Sequence, residues 1–146
     1  MYARDDASRC VVLGTPNGAR LHVEVAARRR ARAAGLASRD AVGSDGSLLV
    51  WREAGRHPIW MANMRFDVDL LWLNAEDVVI AAMFAAPHCQ ALTVEGCALY
   101  EPIGSGTARA VLERPVGRAR ATGLATGVRV TRPRPASAHC AATPLG

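Results

Sequence analysis

At 146 residues, half of them hydrophobic, the chain is long enough for one core, short for two, and too apolar for a disordered segment. Its net charge is +5 and all 18 basic side chains are arginine. The absence of lysine excludes Schiff-base chemistry, lysine-dependent phosphate loops and kinase-type lysines.

Residues 1–19 read as an N-terminal lead-in with a possible first strand. Acids stand early in it and only a short "CVVL" follows, so no export signal is visible and a cytoplasmic location is expected. Leu21, Val23 and Val25 alternate with Arg20, His22 and Glu24, the pattern of a half-buried strand. "AARRRARAAGL" follows as a helix with Ala27, Ala31 and Ala34 on one stripe; Gly35 supplies a left-handed stop and Leu36 tucks behind it. "VGSDGS" at 42–47 is a turn cluster before the apolar run Leu48–Trp51.

From Trp60 to Trp72 every even-numbered residue is apolar, while Asn63, Arg65, Asp67 and Asp69 stand among the odd ones. Thirteen alternating residues exceed one ordinary strand, so the pattern predicts two, Ile59–Ala62 and Phe66–Leu73, with a corner near Asn63. The even row is expected in the core and the odd row on a polar sheet face. "NAED" makes a hairpin loop into Val78–Phe84, which is apolar on both sides and therefore expected at the centre of the sheet. A loop with His88, Cys89 and Cys97 precedes a strand at Ala108–Leu112. A short helix lies between Pro115 and Gly123, and Val128–Val130 closes the fold. Residues 132–146, rich in Pro, Ala and Arg, read as a disordered tail. The expected architecture is a single α+β domain over 20–131, a mostly antiparallel barrel-like sheet with two short helices.

In combination these residues resemble a bacterial and archaeal family known as domain of unknown function 192. The resemblance runs from about Leu21 to Val130 and is carried most specifically by Trp60, Met61, Asn63 and Asp69. Arg32, Gly35, Leu36 and Arg39 fit the family's arginine–glycine–leucine segment, and Tyr100 and Val111–Glu113 fit its later strand. The resemblance implies a compact, barrel-like α+β domain without an established activity, and relatives that often carry an export signal. It also implies lysine where Ala62 stands, proline where Asp67 stands and aspartate where Val128 stands, so a function served by those groups would be lost here.

Asp67 and Asp69 sit two apart on one strand face, and Glu113 closes a later strand. Acid–base chemistry needs carboxylates in unequal environments; an ion pair of Asp69 with Arg32 or Arg39, and helix capping by Glu113, are the structural alternatives. Trp60 and Met61 are candidates to line a pocket, with Asn63, Asp69, Arg32, Arg39 and Tyr100 as further binding residues. The four cysteines lack the close pairs of a zinc site, so no metal is expected. Cys89 and Cys97 are expected as free thiols in the cytosol, or as a bridge in an oxidising compartment.

No cofactor signature is present, and with no complete catalytic constellation the sequence points to a small non-catalytic binding or accessory domain. The alternative is a small enzyme using Asp69 and Glu113 on an anionic substrate. The expected partner is a small anionic ligand or another protein. Specific nucleic acid is disfavoured because none of the seven aromatics alternates with the arginines to make a stacking platform. No apolar run approaches the roughly 18 residues of a membrane span.

Overall fold

Alternation over Arg20–Ala26 produces strand β2, which runs antiparallel to β1 (Arg9–Gly14) with Val11 opposite Val23 and Leu13 opposite Leu21. The computed structural model describes residues 9–37, 39–41, 43–89, 91, 94–133 and 138–139. β3 (Gly46–Gly55) lies parallel to β2, and a parallel neighbour needs a crossover. Helix α1 (Arg29–Ala34) makes it and stops at Gly35, whose φ of 45° is the expected positive-φ exit. Leu36 then buries completely behind it.

The expected corner is found at Asn63, with φ 56°. It separates β4 (Ile59–Trp60) from β5 (Val68–Leu73), both shorter than the alternation suggested. A tight loop leads to β6 (Val79–Ala86), and a single 3-10 turn (Val94–Gly96) precedes β7 (Leu99–Tyr100), which pairs with β4 in a small separate sheet. β8 (Ala108–Pro115) joins β5 to β3, helix α2 (Arg118–Ala121) follows it, and β9 (Ala138–His139) ends the described chain. The main sheet has the order β6-β5-β8-β3-β2-β1-β9, antiparallel except at β2–β3.

Both faces of this sheet are covered. Leu49, Leu70, Trp72 and Val111 pack on one side with Leu36, Ile59 and Met61; Leu48, Leu71, Leu73 and Leu112 pack on the other with Ala119, Leu124 and Val130. Leu70 and Leu71, neighbours in sequence, therefore fill different cores, each contributing on the order of 2–3 kcal/mol by burial.

Three expectations need correction. The sheet is not closed, so it is no barrel: β6 and β9 are its edges. The segment Gly127–Thr131 instead bridges the gap. Val128 O accepts from Val79 N at 2.8 Å, and Gly14 and Thr131 exchange two backbone hydrogen bonds at 2.8 and 3.0 Å. This seam also corrects the place of β6: its apolar faces suggested a central strand, yet it is an edge partly shielded by backbone. β5 is the strand covered twice, since all six of its residues are buried. The polar row accordingly ends at Asp69, and Asp69 itself is buried rather than wet. Of the segment 132–146, only residues 132, 133, 138 and 139 lie among the described residues. Arg132 grips Asp77 with two hydrogen bonds at 2.9 and 3.0 Å, and Ala138–His139 pairs with Arg9–Cys10.

The cysteines also depart from the free-thiol expectation. Cys89 and Cys97 form a disulfide, and Cys10 is disulfide-bonded as well.

Candidate ligand cavity

A cavity of about 530 Å³ opens between α1 and the sheet. Arg29 and Arg32 of α1 stand on one side, Leu36 and Leu49 beneath them, and the segment Pro58–Ala62 with Met64 opposite. That volume lies in the range of small-molecule sites. The Asn63 corner positions the far wall, folding Met61 and Met64 back into the core, where they are 1% and 5% exposed. Trp60, by contrast, is 45% exposed at the mouth.

Trp51 forms the end wall. It stacks on His57 with ring centroids 4.1 Å apart, and the Arg32 guanidinium lies 5.4 Å from its ring centre. His57 is held from both ends: its Nε2 hydrogen-bonds Glu53 O at 2.8 Å, and its carbonyl accepts from Trp72 Nε1 at 3.1 Å. Arg32 Nη1 donates to the carbonyls of Ala27 and of Val50, the latter at 3.0 Å, fixing the guanidinium beside the tryptophan.

Among the described residues, Glu113 is the one acid lining this cavity. β8 carries it into the buried sheet between Ser47 of β3 and Leu70 of β5, where it is 5% exposed. Its Oε2 has no hydrogen-bond partner among the described residues. Burial pushes its carboxyl up to about 7, against a smaller downward pull from the Arg39 guanidinium. Gly35 sits directly over it, and a Cβ built there would lie 3.9 Å from Glu113 Oε1.

Asp69 occupies a different site. Its Oδ1 accepts from Ala85 N at 2.8 Å, and its Oδ2 from Gly117 N and Ala119 N at 3.0 and 3.4 Å. It ties the irregular end of β6 to the first turn of α2. The expected ion pair with Arg32 or Arg39 is therefore not the arrangement found; Arg39 pairs with Glu24 at 2.8 Å. The cation beside Asp69 is Arg114, opposite it in register. Burial draws the Arg114 guanidinium downward, while Asp45 and Asp69 oppose that shift and Arg118 adds to it.

Of the sequence candidates, the fold gathers Arg32, Trp60, Met61 and Glu113 around one cavity. Asn63 shapes its wall through the backbone, Tyr100 packs behind Ile59 on β7, and Asp69 and Arg39 lie outside the lining. Ala62, standing where the resemblance implies a lysine, is in the wall. Sequence reasoning passed over Arg29, Trp51 and His57. Trp51 was within reach, because Leu49 and Trp51 share a strand face; His57 carried no periodic signal.

The profile of DUF192, a family described as "Uncharacterized ACR", matches residues 12–132. The chain belongs to the DUF192 family. No curated protein matches it. Two crystal structures share the fold. One is from Sinorhizobium meliloti 1021, described as a "putative transcription regulator": 25% identical, TM-score 0.70, covering 86% of this chain and 94% of that one. The other, a protein of unknown function from Novosphingobium aromaticivorans DSM 12444, is 20% identical with a TM-score of 0.71, covering 90% of each chain. Membership in DUF192 thus brings a fold and no described reaction, and among the described residues no helix is long and apolar enough to cross a membrane.

Proposed function

We propose that this DUF192 domain is a non-catalytic binding module whose ligand, a small organic anion, occupies the cavity beneath α1. The observation that carries the reading is Glu113, a buried acid that lines a 530 Å³ space and whose Oε2 has no hydrogen-bond partner among the described residues. An unmet buried polar group is costly, and a ligand that completes its hydrogen bonding relieves the cost. Arg29 and Arg32 give the same wall an excess of positive charge. The two-carboxylate enzyme is less well supported, because Asp69 and Glu113 project from opposite faces of the sheet.

The test is a thermal-shift screen of the full chain against small organic acids, repeated on Ala62→Trp, which fills the cavity. Ligands of the cavity raise the melting temperature of the wild type and not of the variant. Equal shifts in both proteins, or none in either, would remove the cavity from consideration.

The bridge between Cys89 and Cys97 bears on location. Disulfides persist in oxidising compartments and are reduced in the cytosol, so this bridge supports an extracytoplasmic setting over the cytoplasmic one expected from the sequence.

A further inference from the structure

We infer that the cavity selects a monocarboxylate with an apolar body, its carboxylate seated between the Glu113 carboxyl and the Arg32 guanidinium. The inference rests on the cavity being the ligand site.

The walls settle the body of the ligand. Leu36, Leu49, Ile59, Met61 and Met64 line the interior, with Trp51 across one end. A polar or multiply charged molecule would lose its hydration there without recovering it.

The donors settle its head. Arg32 uses Nη1 for both of its carbonyl contacts, leaving Nη2 and Nε without a hydrogen bond among the described residues. That remaining edge of the guanidinium is a two-pronged donor matched to a carboxylate. Glu113, whose carboxyl burial pushes up to about 7, keeps its proton below that pH, lines the cavity and has an oxygen, Oε2, without a partner among the described residues. One oxygen of a carboxylate ligand completes each requirement. An ammonium would pair with ionised Glu113 but would meet Arg29 and Arg32 in the same wall. A phosphate dianion would have to be desolvated against those same two arginines and then face an acid.

Seating a carboxylate against Glu113 requires the proton to stay between the two groups, since two bare carboxylates in hydrogen-bond contact repel. Binding is thereby coupled to pH. The charged and titratable groups set around Glu113 are Arg29 and Arg32 from α1, Arg39 beyond it with its ion-pair partner Glu24 of β2 on the same sheet face, and His57 from the loop before β4. β3 and β5 place uncharged Ser47 and Leu70 opposite it.

Isothermal titration of the full chain with sodium hexanoate, hexylamine, hexyl phosphate and 1-hexanol, between pH 5.5 and 8.5, tests this. Hexanoate is expected to bind most tightly, with a dissociation constant that rises about tenfold per pH unit above roughly pH 7, as linkage to one proton requires. Glu113→Gln, whose amide can still donate, keeps hexanoate binding and flattens that profile. Arg32→Met weakens hexanoate at least about tenfold at every pH. Should Glu113→Gln fail to fold, the buffer dependence of the wild-type binding enthalpy gives the same answer: uptake of nearly one proton at pH 8.5 and none at pH 5.5. Tighter binding of the amine, the phosphate ester or the alcohol, or a pH-independent hexanoate affinity in the wild type, overturns the ligand class and leaves the cavity reading standing. Binding that Ala62→Trp does not diminish, or no binding by any probe, overturns both.

Discussion

Asp69 and Glu113 lie one register step apart on neighbouring strands and point to opposite sides of the sheet. Pairing Asp69 with Arg114 and Leu70 with Glu113 sends one carboxylate to the α2 side and the other to the α1 side. The two acids are therefore set by separate surroundings, and substitutions should show this.

Asp69→Asn should be destabilising although it conserves shape. Asp69 meets three backbone N–H groups with two oxygens. Asparagine offers one oxygen and turns an amide N–H₂ toward donors. With each unmet buried group costing about 1–3 kcal/mol, we expect a loss of ~2 kcal/mol or more in urea denaturation at pH 7. Wild-type stability in the variant would show that the three contacts contribute nothing.

Glu113→Gln should alter the pH dependence of stability in the opposite sense from an ordinary salt-bridged acid. The folded value is raised from 4.5 to about 7, so the folded protein retains a proton that the unfolded chain has released. Stability is full below about pH 4.5, falls as pH rises to 7, and is level beyond, a total of roughly 3 kcal/mol. Subtracting the denaturation profile of the variant from that of the wild type isolates this component, which grows toward low pH; a difference that shrinks toward low pH, or is flat, would contradict it.

Reduction of the Cys89–Cys97 bridge should loosen the cavity wall. The bridged loop is bonded to it through Cys89 N to Met61 O at 3.1 Å and Asn63 N to Ala91 O at 3.2 Å. Closing an eight-residue separation is worth about 2–3 kcal/mol in the chain-entropy account. The double substitution Cys89→Ser, Cys97→Ser should lower stability by up to that amount and speed amide exchange at Met61–Met64. Unchanged exchange there would show the loop and wall to be independent.

Truncation after Thr131 should lower the melting temperature, where an unstructured tail predicts no change. It removes both the Arg132–Asp77 pair and β9. The exposed ion pair alone, probed by Arg132→Ala, should account for no more than about 1 kcal/mol. A truncation no worse than Arg132→Ala would mean that β9 adds nothing.

Where the sequence was legible, a local period or a local backbone demand made it so. Alternation placed β2 and β5, a short apolar run placed part of β3, glycine closed α1 at Gly35, and Asn63 took the positive φ of a corner. Register and strand order are non-local and were not legible. β6 looked central because both its faces are apolar, yet those faces are covered by layers above and below the sheet while its edge is met by the backbone of residues 127–130. The partner of Asp69 was misassigned for a related reason: backbone N–H groups occur at every residue and leave no mark in a sequence, whereas arginines do. Glu113, Arg32, Trp60 and Met61 were identified singly, but their convergence depends on the parallel β2–β3 crossover, which brings α1 over β8 and β3.

The seam at Gly127–Thr131 has a consequence for the solution behaviour of the chain. A seven-stranded open sheet presents two rows of unpaired amides and carbonyls, each able to accept a strand from a second molecule. Here Val128 and Gly127 occupy Val79, and Thr131 occupies Gly14, which has no side chain to hold it off. With β9 on Arg9–Cys10, the outer margin of β1 is taken in succession by two segments of its own chain. Replacing Gly14 by any residue with a Cβ would prise Thr131 away and uncover that margin, making self-association the first symptom of damage at a position remote from the cavity.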